Sequence, residues 1–245
     1  MRLIVVNSNS SGNAYALDSG SEILLIEAGC RLPDVKKAIG FRMQDVVGCL
    51  VSHAHLDHAK SANLFARNGI HIYCNQDVAD KKGFPFGSAT VLQASATKAI
   101  GSFRVVPIEL HHDIPNFGYI IHHPDMGTLL FASDTYKMSL VIKGIDHWLI
   151  EANYDDRILK ANVEDGRIDR AQANRLMLSH MSLDNTIHYL HECGVGETTK
   201  TITLCHLSER NSYPKMFADR VAAEFGVPTQ IASKGIVVTL NKEII

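Results

Sequence analysis

The sequence predicts an α/β fold in which two β-sheets pack face to face and carry helices outside. Short apolar segments bounded by turn residues fill the first half of the chain and return near its end. Charged segments with helical spacing cluster in the third quarter. Strands, then helices, then the same pattern again fit a two-sheet sandwich covered by helices. A chain of 245 residues can bury such a core as one unit, so residues 1–245 are read as a single domain.

Taken in order, Arg2 to Val6, Ala14 to Leu17 and Glu22 to Ile26 have the composition of short strands. Asn7 to Asn13 is a Ser/Asn/Gly loop between the first two. Leu32 to Ile39 has helical spacing and stops at Gly40. Asp45 to Val51 rises into an apolar strand that runs into a histidine-rich turn. Ser61 to Arg67 is helix-like, Gly69 breaks it, and Ile70 to Cys74 is strand-like. Lys81-Lys82-Gly83 reads as a small basic loop.

The middle is β-rich: Phe103 to Leu110, Phe117 to His122, Thr128 to Ala132, and Trp148 to Ile150 with Glu151 at its end. Tyr154 to Leu176 is helical and charged, and Ser182 to His191 is a second helix with Ser182 as its N-cap. Thr201 to Cys205 is a strand and Tyr213 to Phe225 a helix. Val227 to Ile231 and Ile236 to Leu240 close the chain as strands.

Composition excludes several classes. With 46% hydrophobic and 20% charged residues, the chain is neither disordered nor fibrous. The formal charge of -2 gives no general attraction for nucleic acid, although bound divalent cations would add local positive charge. No window approaches 18 apolar residues, and Met1 to Val6 lacks the features of a signal peptide. Cys30, Cys49, Cys74, Cys193 and Cys205 form no CxxC pair and sit mostly among apolar neighbours. They read as buried reduced thiols of a cytoplasmic protein.

The chemistry concentrates in Ser52-His53-Ala54-His55-Leu56-Asp57-His58, directly after an apolar strand. A turn there can aim several side chains into one pocket. Neutral imidazole and carboxylate suit zinc, manganese or iron. His53 and His55 alternate, so on an extended segment they face one way. Asp57 and His58 can then serve an adjacent ion. The alternative, a solvated polar turn, does not account for so dense a histidine cluster.

The run His53-Ala54-His55-Leu56-Asp57-His58 resembles the HxHxDH signature of metallo-β-lactamase-fold hydrolases. Leu110-His111-His112-Asp113, Phe131-Ala132-Ser133-Asp134-Thr135 and Thr203-Leu204-Cys205-His206-Leu207 follow in that family's order. The resemblance implies a four-layer αββα sandwich with metals at one edge of the sheets. It implies that His53, His55 and His112 hold one divalent cation, that Asp57, His58 and His206 hold another, and that Asp134 bridges both. A carboxylate suits the bridge because it offers two anionic oxygens. His112 is preferred to His111 because the family pattern places Asp directly after the ligand.

Within the family the chain is similar to the YycJ/WalJ-type, exonuclease-like branch. The matching pieces are Ser10-Ser11-Gly12-Asn13, Glu151-Ala152-Asn153-Tyr154-Asp155, Ser179-His180-Met181-Ser182 and His206-Leu207-Ser208-Glu209-Arg210-Asn211. It departs from the pattern at Glu27, where Asp is usual, at Ser179, where Gly is usual, and at Ser212, where a second Asn is usual. The resemblance to tRNA 3′-processing nucleases implies that His180, paired with Glu151, assists at a scissile phosphate. Asp57, Glu151 and His180 are therefore the expected catalytic groups. Ser11, Asn13, Ser208 and Asn211 are expected to bind substrate, with loop ordering as their alternative.

The expected function is a dinuclear zinc or manganese hydrolase of phosphodiesters, a 5′ exonuclease-like nuclease acting on DNA or RNA ends. A cyclic-nucleotide phosphodiesterase, a thioester or lactam hydrolase of the same fold, and a non-catalytic nucleotide-binding protein are the alternatives. Expected partners are a nucleic-acid or nucleotide substrate and no membrane; a homodimer stays open.

Overall fold

Strands that are apolar at every position need cover on both faces. Leu3-Ile4-Val5-Val6 is such a run, and alternation sends Leu3 and Val5 to one core and Ile4 and Val6 to another. The computed structural model describes residues 1–196 and 198–242. The chain begins β1 (Arg2–Asn9), β2 (Gly12–Asp18), β3 (Ile23–Ile26), α1 (Leu32–Ala38) and β4 (Val46–Val51). It continues α2 (Leu56–Ala59), α3 (Ala62–Arg67), β5 (Ile72–Cys74), α4 (Gln76–Lys82) and β6 (Ala89–Val91). Then come β7 (Lys98–Ile100), β8 (Phe103–Leu110), β9 (Asn116–His123), β10 (Gly127–Ala132) and β11 (His147–Glu151). Helices α5 (Asp156–Glu164), α6 (Arg170–Ser179) and α7 (Leu183–Glu192) precede β12 (Thr201–Cys205), α8 (Pro214–Phe225), β13 (Thr229–Ile231) and β14 (Val237–Thr239).

One sheet has the order β14-β1-β2-β3-β4-β5-β6 and the other β13-β12-β11-β10-β9-β8-β7. Leu3, Tyr15, Leu24 and Leu50 from the first meet Phe103, Tyr119, Phe131 and Leu149 from the second in the central core. The outer face of the first sheet packs on Val35 of α1, Phe65 of α3 and Val78 of α4. The outer face of the second packs on Leu183 and Leu190 of α7 and on Phe217 and Val221 of α8. The result is the expected αββα sandwich. All five cysteines are free and buried. Among the described residues no helix is long and apolar enough to cross a membrane.

Topology gathers strand ends at one edge. β10, β11 and β12 run parallel, and β8, antiparallel to β9 as β10 is, runs in their direction. The residues just beyond β4, β8, β10 and β12 therefore come out beside one another.

Several expectations change in detail. The loop expected over Asn7 to Asn13 is mostly hairpin: β1 reaches Asn9, β2 starts at Gly12, and only Ser10 and Ser11 remain between them. Asn7, Ser8 and Asn9 pair with Ala14, Asn13 and Gly12, and these ladder bonds outweigh their turn propensity. Tyr154 to Leu176 is two helices rather than one, separated around Gly166 with φ 69°. Lys81 and Lys82 end helix α4, and Gly83 is its left-handed C-cap.

Candidate metal centre

His53 and His55 leave β4 in an extended stretch, and the one-turn helix α2 carries Asp57 and His58. His112 lies two residues past β8, Asp134 two past β10, and His206 one past β12. Asp134 and His206 have φ of 55° and 52°, left-handed values that side chains other than glycine rarely adopt. Glu27, beyond β3, has φ 68°. Such strain persists where surrounding packing over-determines the backbone, and here it turns three side chains toward one edge.

The side chains form two clusters. His55 Nδ1 lies 3.1 Å from His53 Nε2 and 3.2 Å from His112 Nε2. Asp57 Oδ2 lies 3.3 Å from His58 Nε2 and 3.2 Å from His206 Nε2. Asp134 stands between the clusters. Its Oδ2 is 3.8 Å from His53 Nε2 and 3.9 Å from His112 Nε2, while its Oδ1 is 3.2 Å from His58 Nε2 and 3.6 Å from His206 Nε2. A tetrahedral ion with bonds of about 2.05 Å has donor atoms about 3.3 Å apart. The spacings fit two such ions sharing Asp134.

The outer ring nitrogens face polar groups that orient the rings. Ser52 Oγ is 2.9 Å from His53 Nδ1, and His112 Nδ1 donates to the Ser179 carbonyl at 3.1 Å. His206 Nδ1 faces Glu151 Oε1 at 3.4 Å. His58 Nδ1 faces Glu27 Oε1 at 3.4 Å, and among the described residues neither atom has a hydrogen-bond partner.

Charge follows the same division. Burial, then the imidazole of His58, holds His53 well below the ordinary histidine range, and burial lowers His112 as well. Both favour the neutral form that binds metal. Burial opposes charge on His58 and His206, yet the carboxylates overcome it. Asp134 and Glu27 raise His58, and Asp134, Asp57 and Glu151 raise His206 to about 10. Burial opposes ionisation of Asp57, but hydrogen bonds from His206 and His58 leave it lowered. This pocket favours positive charge.

His111 and His112 lie beyond the strand, so alternation across a sheet does not separate them. His112 enters the cluster and His111 turns away to Ser139 Oγ at 2.5 Å. Next to the second cluster, His180 Nδ1 meets Glu151 Oε1 at 2.6 Å. Burial disfavours charge on His180, but Glu151 raises its pKa. Its ring stacks on His206 at 5.3 Å between centroids.

The four expected substrate contacts divide. Ser208 lines the cleft, and its hydroxyl accepts from Asn211 Nδ2 at 3.1 Å. Asn211 is 2% exposed and its amide is engaged with Asn162 and Ser208, so it orders the loop. Asn13 is fully buried, with Nδ2 3.1 Å from His58 Nε2 and 3.3 Å from the Asp57 carbonyl, so it braces the cluster from beneath. Ser11 bonds Asn9 at 2.6 Å, and its neighbour Ser10 lines the cleft instead. Reasoning from sequence missed the opposite wall, where Gln172, Arg175, Leu176 and Ser179 of α6 face the cleft. Their spacing of i, i+3, i+4 and i+7 marks one helix face and was the available signal.

A family model described as the metallo-beta-lactamase superfamily matches residues 8–143. The chain belongs to the metallo-beta-lactamase superfamily. Its superfamily relatives include "Exodeoxyribonuclease WalJ" of Streptococcus pneumoniae, 25% identical over 228 residues, covering 86% of this chain and 83% of that protein. "Exodeoxyribonuclease YycJ" of Bacillus anthracis is 24% identical, covering 86% of this chain and 84% of that one. The crystal structure of the metallo-beta-lactamase fold protein YhfI from Bacillus subtilis superposes with a TM-score of 0.76. It is 16% identical and covers 97% of this chain and 99% of that one, which supports the shared fold alone.

Proposed function

We propose that this protein is a two-cation hydrolase of phosphodiester bonds, acting as a nuclease on nucleic-acid ends. His53, His55, His112 and Asp134 would hold one ion, and Asp57, His58, His206 and Asp134 the other. The reading rests above all on the Glu151–His180 pair, 2.6 Å apart at the edge of the clusters. Departure of an alkoxide from phosphorus calls for a proton, and a positioned imidazole supplies one.

Bound there, two divalent cations, zinc or manganese, supply Lewis acidity toward a phosphoryl oxygen and acidify a water molecule. Asp134 fixes the separation of the clusters through its two oxygens. Glu151 accepts the Nδ1 proton of His180, which leaves Nε2 free to carry a proton to the leaving oxygen. The same carboxylate faces His206 Nδ1 at 3.4 Å and so orients a ligand as well as an acid. Asp57 serves as a ligand, since hydrogen bonds from two imidazoles hold it ionised.

The names of the similar proteins, both exodeoxyribonucleases, favour DNA ends over a cyclic nucleotide or a thioester. The test is purified protein loaded with Mn²⁺ or Zn²⁺ and given labelled single-stranded DNA, RNA and cyclic nucleotides. Release of mononucleotides from strand ends is expected. Metal-loaded protein that cleaves none of these overturns the reading.

A further inference from the structure

The clefts around the clusters join lengthwise. The first, about 280 Å³, is lined by both clusters and by Arg175 of α6. It shares Leu176, His180 and His206 with a second of about 340 Å³ along the Ser208–Asn211 loop. That cleft shares Ile168 and Arg210 with a third of about 500 Å³, which Arg167 also lines. A site for a small molecule usually encloses most of its ligand. Here the reacting centre opens instead into a trough.

Two guanidinium groups stand along that trough outside any ion pair, although Asp113 and Glu209 also line it. Arg175 and Arg210 are exposed, and among the described residues neither pairs with a carboxylate. Arg2, Arg31, Arg42, Arg167 and Arg220 all do. Arg67, Arg104, Arg157 and Arg170 are in no such pair either, but none of them lines the three clefts. With a formal charge of -2, the molecule has no overall attraction for polyanions. Any affinity for one must come from local positive charge, to which such groups contribute beside the cations proposed at the clusters. Positive groups spaced along a groove are what a single-stranded backbone requires.

We propose that the trough binds an extended single strand of nucleic acid. Arg175 holds the backbone beside the reacting phosphate, and Arg210 holds a backbone phosphate further along, past Leu176 and Ile168. The proposal rests on the phosphodiesterase reading above and adds substrate length to it. It assigns Arg210 a role in binding polymer that a single nucleotide at the clusters does not use.

The test is fluorescence anisotropy with a labelled eight-nucleotide DNA strand bearing phosphorothioate linkages, on metal-loaded protein, as salt is raised from about 50 to 200 mM. For single strands, each lost phosphate contact lowers the slope of log K against log salt by about 0.7. Arg210→Gln and Arg175→Gln should each lower it by that amount, and the double variant by about 1.4. Circular dichroism establishes that the variants are folded. Unchanged slopes in folded variants, or no binding of the strand by the wild type, overturn the proposal. Hydrolysis of bis(p-nitrophenyl) phosphate by the wild type separates the two readings. Turnover of that diester with unchanged slopes sinks the trough alone. Reduced slopes without turnover of any diester sink the phosphodiesterase alone.

Discussion

Asp134 shows how much of a site one residue can carry. Its two oxygens divide between the clusters, and only a carboxylate can do this. Its residue type and its place after a strand were legible in the sequence. Its φ of 55° was not, because left-handed backbone at a non-glycine residue depends on tertiary packing. Of the seven positions proposed to hold metal, His112, Asp134 and His206 each lie just past a strand end and the other four stand together after β4; the resemblance to the family's signature is what made them legible as a set. The role of Asn13 was not legible, since a buried amide and an exposed one read alike in sequence. His180→Ala should lower kcat by about 10²- to 10⁴-fold while both ions stay bound, read by turnover and elemental analysis together. Loss of an ion on that substitution would make His180 a ligand rather than an acid. Glu27→Gln removes the carboxylate facing His58 Nδ1 and should weaken metal affinity about 10- to 100-fold, measured by competition with a chelator. An unchanged affinity would show that Glu27 acts only on the fold.

Elements were legible where a pattern was long. β8 and β12 match the expected limits, Phe103 to Leu110 and Thr201 to Cys205, because each is an apolar run ended by a break in composition. β6, β7, α2 and α4 were not seen. Both strands are short and lie in an Ala/Ser/Thr-rich stretch with no sustained apolar run, α2 has only four residues, and α4 is mostly polar. The contact of the β3–α1 connection with α2 was equally invisible. A Cβ on Gly29 would lie 1.7 Å from the Asp57 carbonyl oxygen, which backbone cannot avoid by turning a side chain. Gly29→Ala should therefore destabilise the protein by about 3 kcal/mol or more in urea unfolding. A shift well under 1 kcal/mol would mean that the turn is pliant.

His147, on β11, gives a dependence on pH. Burial pushes its pKa down to about 4, from an ordinary value near 6.5. Well above pH 6.5 it is neutral both folded and unfolded. Below that, the unfolded chain takes up a proton that the folded chain refuses, so stability is lost as pH falls toward 4. The full loss is about 3 kcal/mol. The stability difference between wild type and His147→Gln should shift by about that amount between pH 7.5 and 4. Parallel pH profiles for the two proteins would contradict it.

The whole molecule depends on bringing two sheets to one edge. The first sheet supplies His53, His55, Asp57 and His58 through the turn after β4, and the second supplies His112, Asp134 and His206. Cations held there would tie the two halves of the sandwich together. At a concentration a thousandfold above Kd, such binding adds about 4 kcal/mol, or roughly 10 °C in Tm for a domain of this size. Chelation should lower Tm by that order in differential scanning calorimetry, and readdition of Zn²⁺ or Mn²⁺ should restore it. The sandwich itself was legible from the order of strands and helices. The trough was not, because it forms between α6 and the loop after β12, elements distant in the chain.

On this proposal seven side chains from both sheets hold two adjacent cations, and anomalous diffraction from crystals grown with Zn²⁺ or Mn²⁺ would locate them. Two peaks about 3.5–4 Å apart are expected, one among His53, His55 and His112 and the other among Asp57, His58 and His206, with Asp134 reaching both. A single peak, or none between these side chains at saturating metal, would contradict it.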